Sequence, residues 1–122
     1  MNVKELVNQL NKMILEGKSM EAFEKFYAEN VVMQENDEPP TEGKDANRAR
    51  EEDFFRNLEN FAAGDVKEVV VEGDTSMVRW YMDFTHKQWG RFAGHQIALQ
   101  KWKDGKIVSE NFYYSTSKDK AN

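Results

Sequence analysis

The chain is 122 residues long and acidic, with 22 Asp and Glu against 17 Lys and Arg, a net charge of -5, no cysteine, and an aromatic set of eight Phe, four Tyr and three Trp. A chain of this length is expected to form one domain, over 1–117, around one core; lack of cysteine excludes disulfides, thiolate metal sites and cysteine nucleophiles. The acidic balance argues against nucleic acid as partner, because phosphate binding is driven by clustered Lys and Arg; the locally basic end, 118–122, reads as a frayed tail.

In chain order, Val3, Leu6, Val7, Leu10, Met13 and Ile14 recur at helical spacing and Gly17 follows as a stop, which predicts a helix over 2–16. Charged and apolar residues alternate in this segment, so it lacks the apolar core of a signal peptide, and no stretch approaches a membrane span; a cytoplasmic protein without membrane contact is the expectation. Ser19 is placed to cap a second helix, carrying Met20, Phe23, Phe26 and Tyr27 on one face and ending near Glu29. A strand over 31–35 ends on Glu35, and Pro39 and Pro40 keep the next residues out of any central ladder. A third helix is predicted from Lys44 to Ala62 with Gly64 at its C-terminal turn, and its run "REEDFFRNLEN" reads as a solvated face.

Everything after Gly64 reads as sheet. Gly73-Asp74, Gly90 and Asp104-Gly105 are turn signals, and Gly94 marks a bend. Val78, Trp80, Met82, Phe84 and His86 alternate with Arg79, Tyr81, Asp83 and Thr85, as on a strand with two unlike faces. The last hairpin leaves two registers open. A two-residue turn at Asp104-Gly105 puts Trp102 opposite Ile107; a bulge at Gly105 puts it opposite Lys106, and each choice sends a different one of Tyr113 and Tyr114 inward. Helices first and a meander of long strands afterwards make an α+β layer fold.

The matching elements "FYAENVVMQE", "PPTEGKDA" leading into a helix with "FF", and "WKDGKIVSENFYY" resemble, in order and spacing, the SnoaL-like branch of the nuclear-transport-factor-like superfamily, with its ketosteroid isomerases and polyketide cyclases. The resemblance implies a cystatin-like cone: three N-terminal helices packed on a strongly curved antiparallel sheet with a central pocket, often as a homodimer. Aligned through Phe26-Tyr27-Ala28, the relatives' strand-end proton-shuttling acid falls on Glu35. The tyrosine that relatives carry on the first helix falls near Leu10, and their second acid falls on Ala98, so neither group is present.

Glu35, His86 and His95 are therefore the catalytic candidates, a carboxylate as base and a histidine or tyrosine as donor to oxygen. Candidate wall residues are Tyr27, Trp80, Met82, Phe84, Trp102, Phe112 and Tyr114, with Gln96 and Gln100 to orient a polar group. No metal-ligand spacing appears, so neither metal nor other cofactor is expected. His95, Ile97 and Leu99 would lie on the outer face of the sheet, which suggests pairing with a second copy. The expected function is binding of an apolar or carbonyl-bearing small molecule with possible proton transfer, as in an isomerase or cyclase; the alternative is a non-catalytic ligand-binding or dimerisation domain.

Overall fold

The computed structural model describes residues 1–116; the predicted tail lies outside them. The elements are α1 (Val3–Leu15), α2 (Ser19–Phe26), β1 (Tyr27–Glu35), β2 (Thr41–Glu42), α3 (Lys44–Arg56), β3 (Leu58–Glu72), β4 (Thr75–His86), β5 (Gly90–Lys103) and β6 (Lys106–Tyr113). The strands form one curved six-stranded sheet in the order β2-β1-β6-β5-β4-β3. Among the described residues no helix is long and apolar enough to cross a membrane.

α1 starts on a capping box: Asn2 Oδ1 accepts from the Glu5 amide at 2.9 Å, and the Glu5 carboxylate accepts from the Asn2 amide at 3.1 Å. It buries Val7 and Leu10. These pack with Ala22, Phe23, Phe26, Val31, Trp102 and Ile107 into a core at one end of the sheet.

Three boundaries differ from expectation. Ser19 does not cap α2, whose N-cap is Lys18 with no side-chain bond, and α2 stops at Phe26 because Tyr27 already has extended backbone. β1 therefore begins at Tyr27. α3 stops at Arg56, six residues before Ala62, because the tertiary context overrides its helical periodicity. Asn57 caps it, its carbonyl accepts from the Lys87 amide at 2.8 Å, and Leu58 pairs with His86 across β3 and β4. Gly64 accordingly lies inside β3 opposite Met82, where a Cβ would stand 2.8 Å from the Phe61 ring.

The sheet is also not wholly antiparallel. β1 runs parallel to β6, and since most of the chain separates the two, no tight turn dictates their direction. Register fixes which side chains meet. Ser76, Gln100, Glu110 and Met33 stand opposite one another in a row across β4, β5, β6 and β1, and the next row is Val78, Ala98, Phe112 and Glu35.

At the last hairpin, Trp102 pairs with Ile107 over a two-residue turn in which both Asp104 (φ 53) and Gly105 (φ 77) are left-handed. One step later Lys101 pairs with Ser109, leaving Val108 as an extra, bulged residue. Past the bulge, Glu110, Phe112 and Tyr114 share the face of Ile107, and Tyr113 is exposed on the other side.

Candidate active site

Between the concave face of the sheet and the helices lies a hollow of about 1670 Å³, open on one side. Trp80, Met82 and Phe84 of β4, Phe54 of α3 and Phe112 of β6 line it with apolar surface. Among the carboxylates that line it are Glu35 at the end of β1, Glu51 on α3 and Glu110 on β6.

Glu35 is tied on both oxygens. Tyr114 Oη donates to Oε1 at 2.5 Å and the Arg50 guanidinium donates to Oε2. Burial and the bond to Glu35 hold the Tyr114 phenol well above its ordinary range. Glu51 differs: among the described residues its side chain makes no hydrogen bond and no ion pair. Desolvation, then repulsion from Glu110 and Glu35, pushes its carboxyl up to about 7, with Arg50 pulling the other way.

Glu110 is fully enclosed and accepts two hydrogen bonds, from Tyr27 Oη at 2.5 Å and from Gln100 Nε2 at 2.7 Å. Desolvation outweighs both bonds, so its carboxyl also rises to about 7. Tyr27, buried beside Glu110 and near Glu51, is raised well above the usual phenol range, chiefly by desolvation. The chain continues behind Gln100: Ser76 Oγ donates to Gln100 Oε1 at 2.6 Å, and Trp102 Nε1 donates to Ser76 Oγ at 2.9 Å.

Of the residues singled out from sequence, Glu35, Tyr27, Trp80, Met82, Phe84, Gln96, Gln100, Phe112 and Tyr114 all line the hollow. Trp102 does not. It sits in the core, edge-on to Phe26 at 6.3 Å, and reaches the hollow only through its hydrogen-bond chain. The two histidines are on opposite faces. His95 is exposed on the outside of the sheet against Tyr81, so it does not join Glu35. His86 is buried on the inner side, stacked on Trp89 at 3.8 Å, with Nδ1 accepting from the Gln88 amide and Nε2 without a partner among the described residues. No group of three or more metal-ligating side chains occurs among the described residues.

Glu51, Arg50 and Glu110 were not foreseen. The run "REEDFFRNLEN" is not solvated throughout, since Arg50, Glu51, Asp53, Phe54 and Phe55 line the hollow. The spacing Asn47, Glu51, Phe54 was the available signal, because it puts Glu51 on the inward stripe. Glu110 shares alternation with the expected wall residues Phe112 and Tyr114, which was its signal; alternation from Ile107 sends it outward, and the bulge at Val108 reconciles the two by turning it in.

A family model for the SnoaL-like domain matches residues 1–114. The chain belongs to the SnoaL-like family. Among solved structures, this SnoaL-like chain is similar to a candidate SnoaL-like polyketide cyclase from Mesorhizobium loti, 29% identical over 93% of this chain and 100% of that one, with a TM-score of 0.84. It is also similar to a candidate polyketide cyclase from Pseudomonas putida (22% identity, 95% and 93% coverage, TM-score 0.76). A third is a protein of ketosteroid isomerase-like fold from Catenulispora acidiphila, solved with trimethylamine (17% identity, 80% and 76% coverage, TM-score 0.68). No curated protein matches the chain. At the two positions where the sequence resemblance leads to the expectation of a tyrosine and an acid, Leu10 is core and Ala98 is buried between Val78 and Phe112. Glu110 lies one row away from Ala98 and one strand over.

Proposed function

We propose that the hollow binds an apolar, carbonyl-bearing small molecule and that Glu51 moves a proton on the carbon next to the carbonyl, the reaction class of an isomerase or cyclase. One observation carries this reading: among the described residues, the Glu51 carboxyl has no hydrogen bond or ion pair and lines the same hollow as Phe54, Trp80, Phe84 and Phe112, where desolvation pushes it up to about 7. A general base works best when its pKa lies near the operating pH, and desolvation by apolar neighbours supplies that value without a cofactor. Trp80, Phe84 and Phe54 would hold the apolar body, and Gln96 would orient a polar substituent. Glu35, held by Arg50 and Tyr114, would fix the mouth of the site and add to the field that keeps Glu51 protonatable.

The test is deuterium uptake at the carbon next to the carbonyl, followed by NMR over a panel of cyclic ketones. Wild type should catalyse exchange, and Glu51→Gln should lower the rate by about 10²–10⁴, the range of general base catalysis. Equal rates in both proteins would remove Glu51 as the base. Ketone binding without exchange would favour the second reading, a non-catalytic ligand-binding domain, which the tied oxygens of Glu35 and the apolar Leu10 and Ala98 support.

A further inference from the structure

We propose that the Trp102–Ser76–Gln100 chain is a positioning device: it places the proton of Glu110 on the oxygen that faces Tyr27, so that Tyr27 becomes a donor into the hollow only when Glu110 is protonated. The direction follows from what each group can do. An indole N–H donates and cannot accept, so at 2.9 Å Ser76 Oγ must be the acceptor. The single hydroxyl proton of Ser76 is then directed to Gln100 Oε1 at 2.6 Å. That fixes which way the amide lies, and its NH₂ points at Glu110 Oε2, 2.7 Å away.

Oε2 is thereby an acceptor in both protonation states, and a proton taken up by Glu110 goes to Oε1. Oε1 lies 2.5 Å from Tyr27 Oη. With Glu110 ionised, Tyr27 donates to it. With Glu110 protonated, the carboxylic O–H donates to Tyr27 Oη, and the phenol proton is released from Glu110. Tyr27 lines the hollow, so an oxygen of a ligand seated beside it would accept that proton. The balance is one proton gained from solvent, with no change in covalent bonding to the ligand.

The groups facing this pair come from each neighbouring element. Gln100 faces it from β5, and Glu51 acts on both Glu110 and Tyr27 from α3, itself held partly in check by Arg50. Burial puts Glu110 at about 7, so both states are populated near neutrality. Glu51 titrates in the same range, and the two carboxyls are coupled.

The ligand class, a carbonyl or enolate oxygen, rests on the function proposed above; the gating does not, and one experiment separates them. Full-length protein carrying [¹³Cζ]tyrosine is titrated by NMR without ligand between about pH 5 and pH 9, across the Glu110 transition. Tyr27→Phe assigns the resonance, and a Glu51→Gln background removes the coupled carboxyl. The Tyr27 signal should move through one transition in Glu51→Gln. In Glu110→Gln it should rest at the acid-side position at every pH, because an amide N–H donates to Tyr27 as the carboxylic acid did. Ser76→Ala and Trp102→Phe each free the Gln100 amide to turn, letting the proton divide between the two oxygens, so the Tyr27 shift change should fall by about half. A Tyr27 signal that still titrates in Glu110→Gln, or full amplitude in both relay variants, overturns the proposal. Adding acetophenone labelled at the carbonyl carbon completes the test: its bound resonance should move downfield at low pH in wild type, and at all pH in Glu110→Gln. A titrating Tyr27 with an unmoved carbonyl would keep the gate and sink the carbonyl reading.

Discussion

Partial burial of an unpaired carboxyl at position 51 works against folding wherever that carboxyl is ionised. In the unfolded chain it titrates near the ordinary 4.5, and in the folded protein at about 7. Between those values the native state holds a proton that the unfolded state has released, so stability falls as pH rises through this window and is level above it. Glu51→Gln removes the charge while keeping the shape. It should therefore be more stable than wild type at pH 8, by about 1–3 kcal/mol once partial exposure of the site is allowed for, and nearly equal at pH 4. Urea unfolding at the two pH values checks this. A wild type that is the more stable protein at pH 8 would mean that the Glu51 carboxylate finds a cation, and its role as a poised base would fall with it. A group whose replacement stabilises the fold has been kept for another reason, and function is the usual one.

At the scale of elements, the site depends on how the last hairpin turns and bulges. Both turn residues have positive φ, and Gly105 at φ 77 is where a branched side chain costs most. Gly105→Val should lose about 1–2 kcal/mol, read as a lower urea midpoint with an unchanged slope. A changed slope would indicate that β6 has re-paired rather than strained. Helical spacing made α1 legible almost to the residue, and alternation grouped Val78, Trp80, Met82, Phe84 and His86 on one face of β4. What could not be read were the places where two elements compete or a period breaks. Residues 58–62 have helical spacing, but pairing with β4 takes them into β3. Val108 adds one residue to β6, and with it the inward set changes from Ile107 to Glu110, Phe112 and Tyr114. The strand-end acid Glu35 was legible from resemblance because it closes a strand; Glu110 shares alternation with Phe112 and Tyr114, but its orientation relative to Ile107 depends on one unpaired residue.

Across the whole molecule, one continuous interior makes different demands where it is closed and where it borders the hollow. Toward α1 and α2 the side chains Val7, Leu10, Phe26, Val31 and Ile107 leave almost nothing exposed, and Trp102 closes that end over Phe26. Where the same interior meets the hollow, Trp80, Met82, Phe84 and Phe112 border open space. Removing side-chain volume should therefore cost differently at the two ends. Phe26→Ala opens a void among close-packed neighbours and should cost about 3–5 kcal/mol. Met82→Ala enlarges a hollow that already exists, so few packing partners are lost, and its cost should stay below about 2 kcal/mol, under the range for a fully enclosed methionine. The same Met82→Ala change should alter which ketones bind, whereas a core variant that remains folded should leave ligand choice as it was. Urea unfolding of both variants, with ketone binding measured alongside, checks the division. Equal losses would mean that the interior around Met82 is packed as tightly as that around Phe26, leaving no room for a ligand beside Glu35, Glu51 and Glu110.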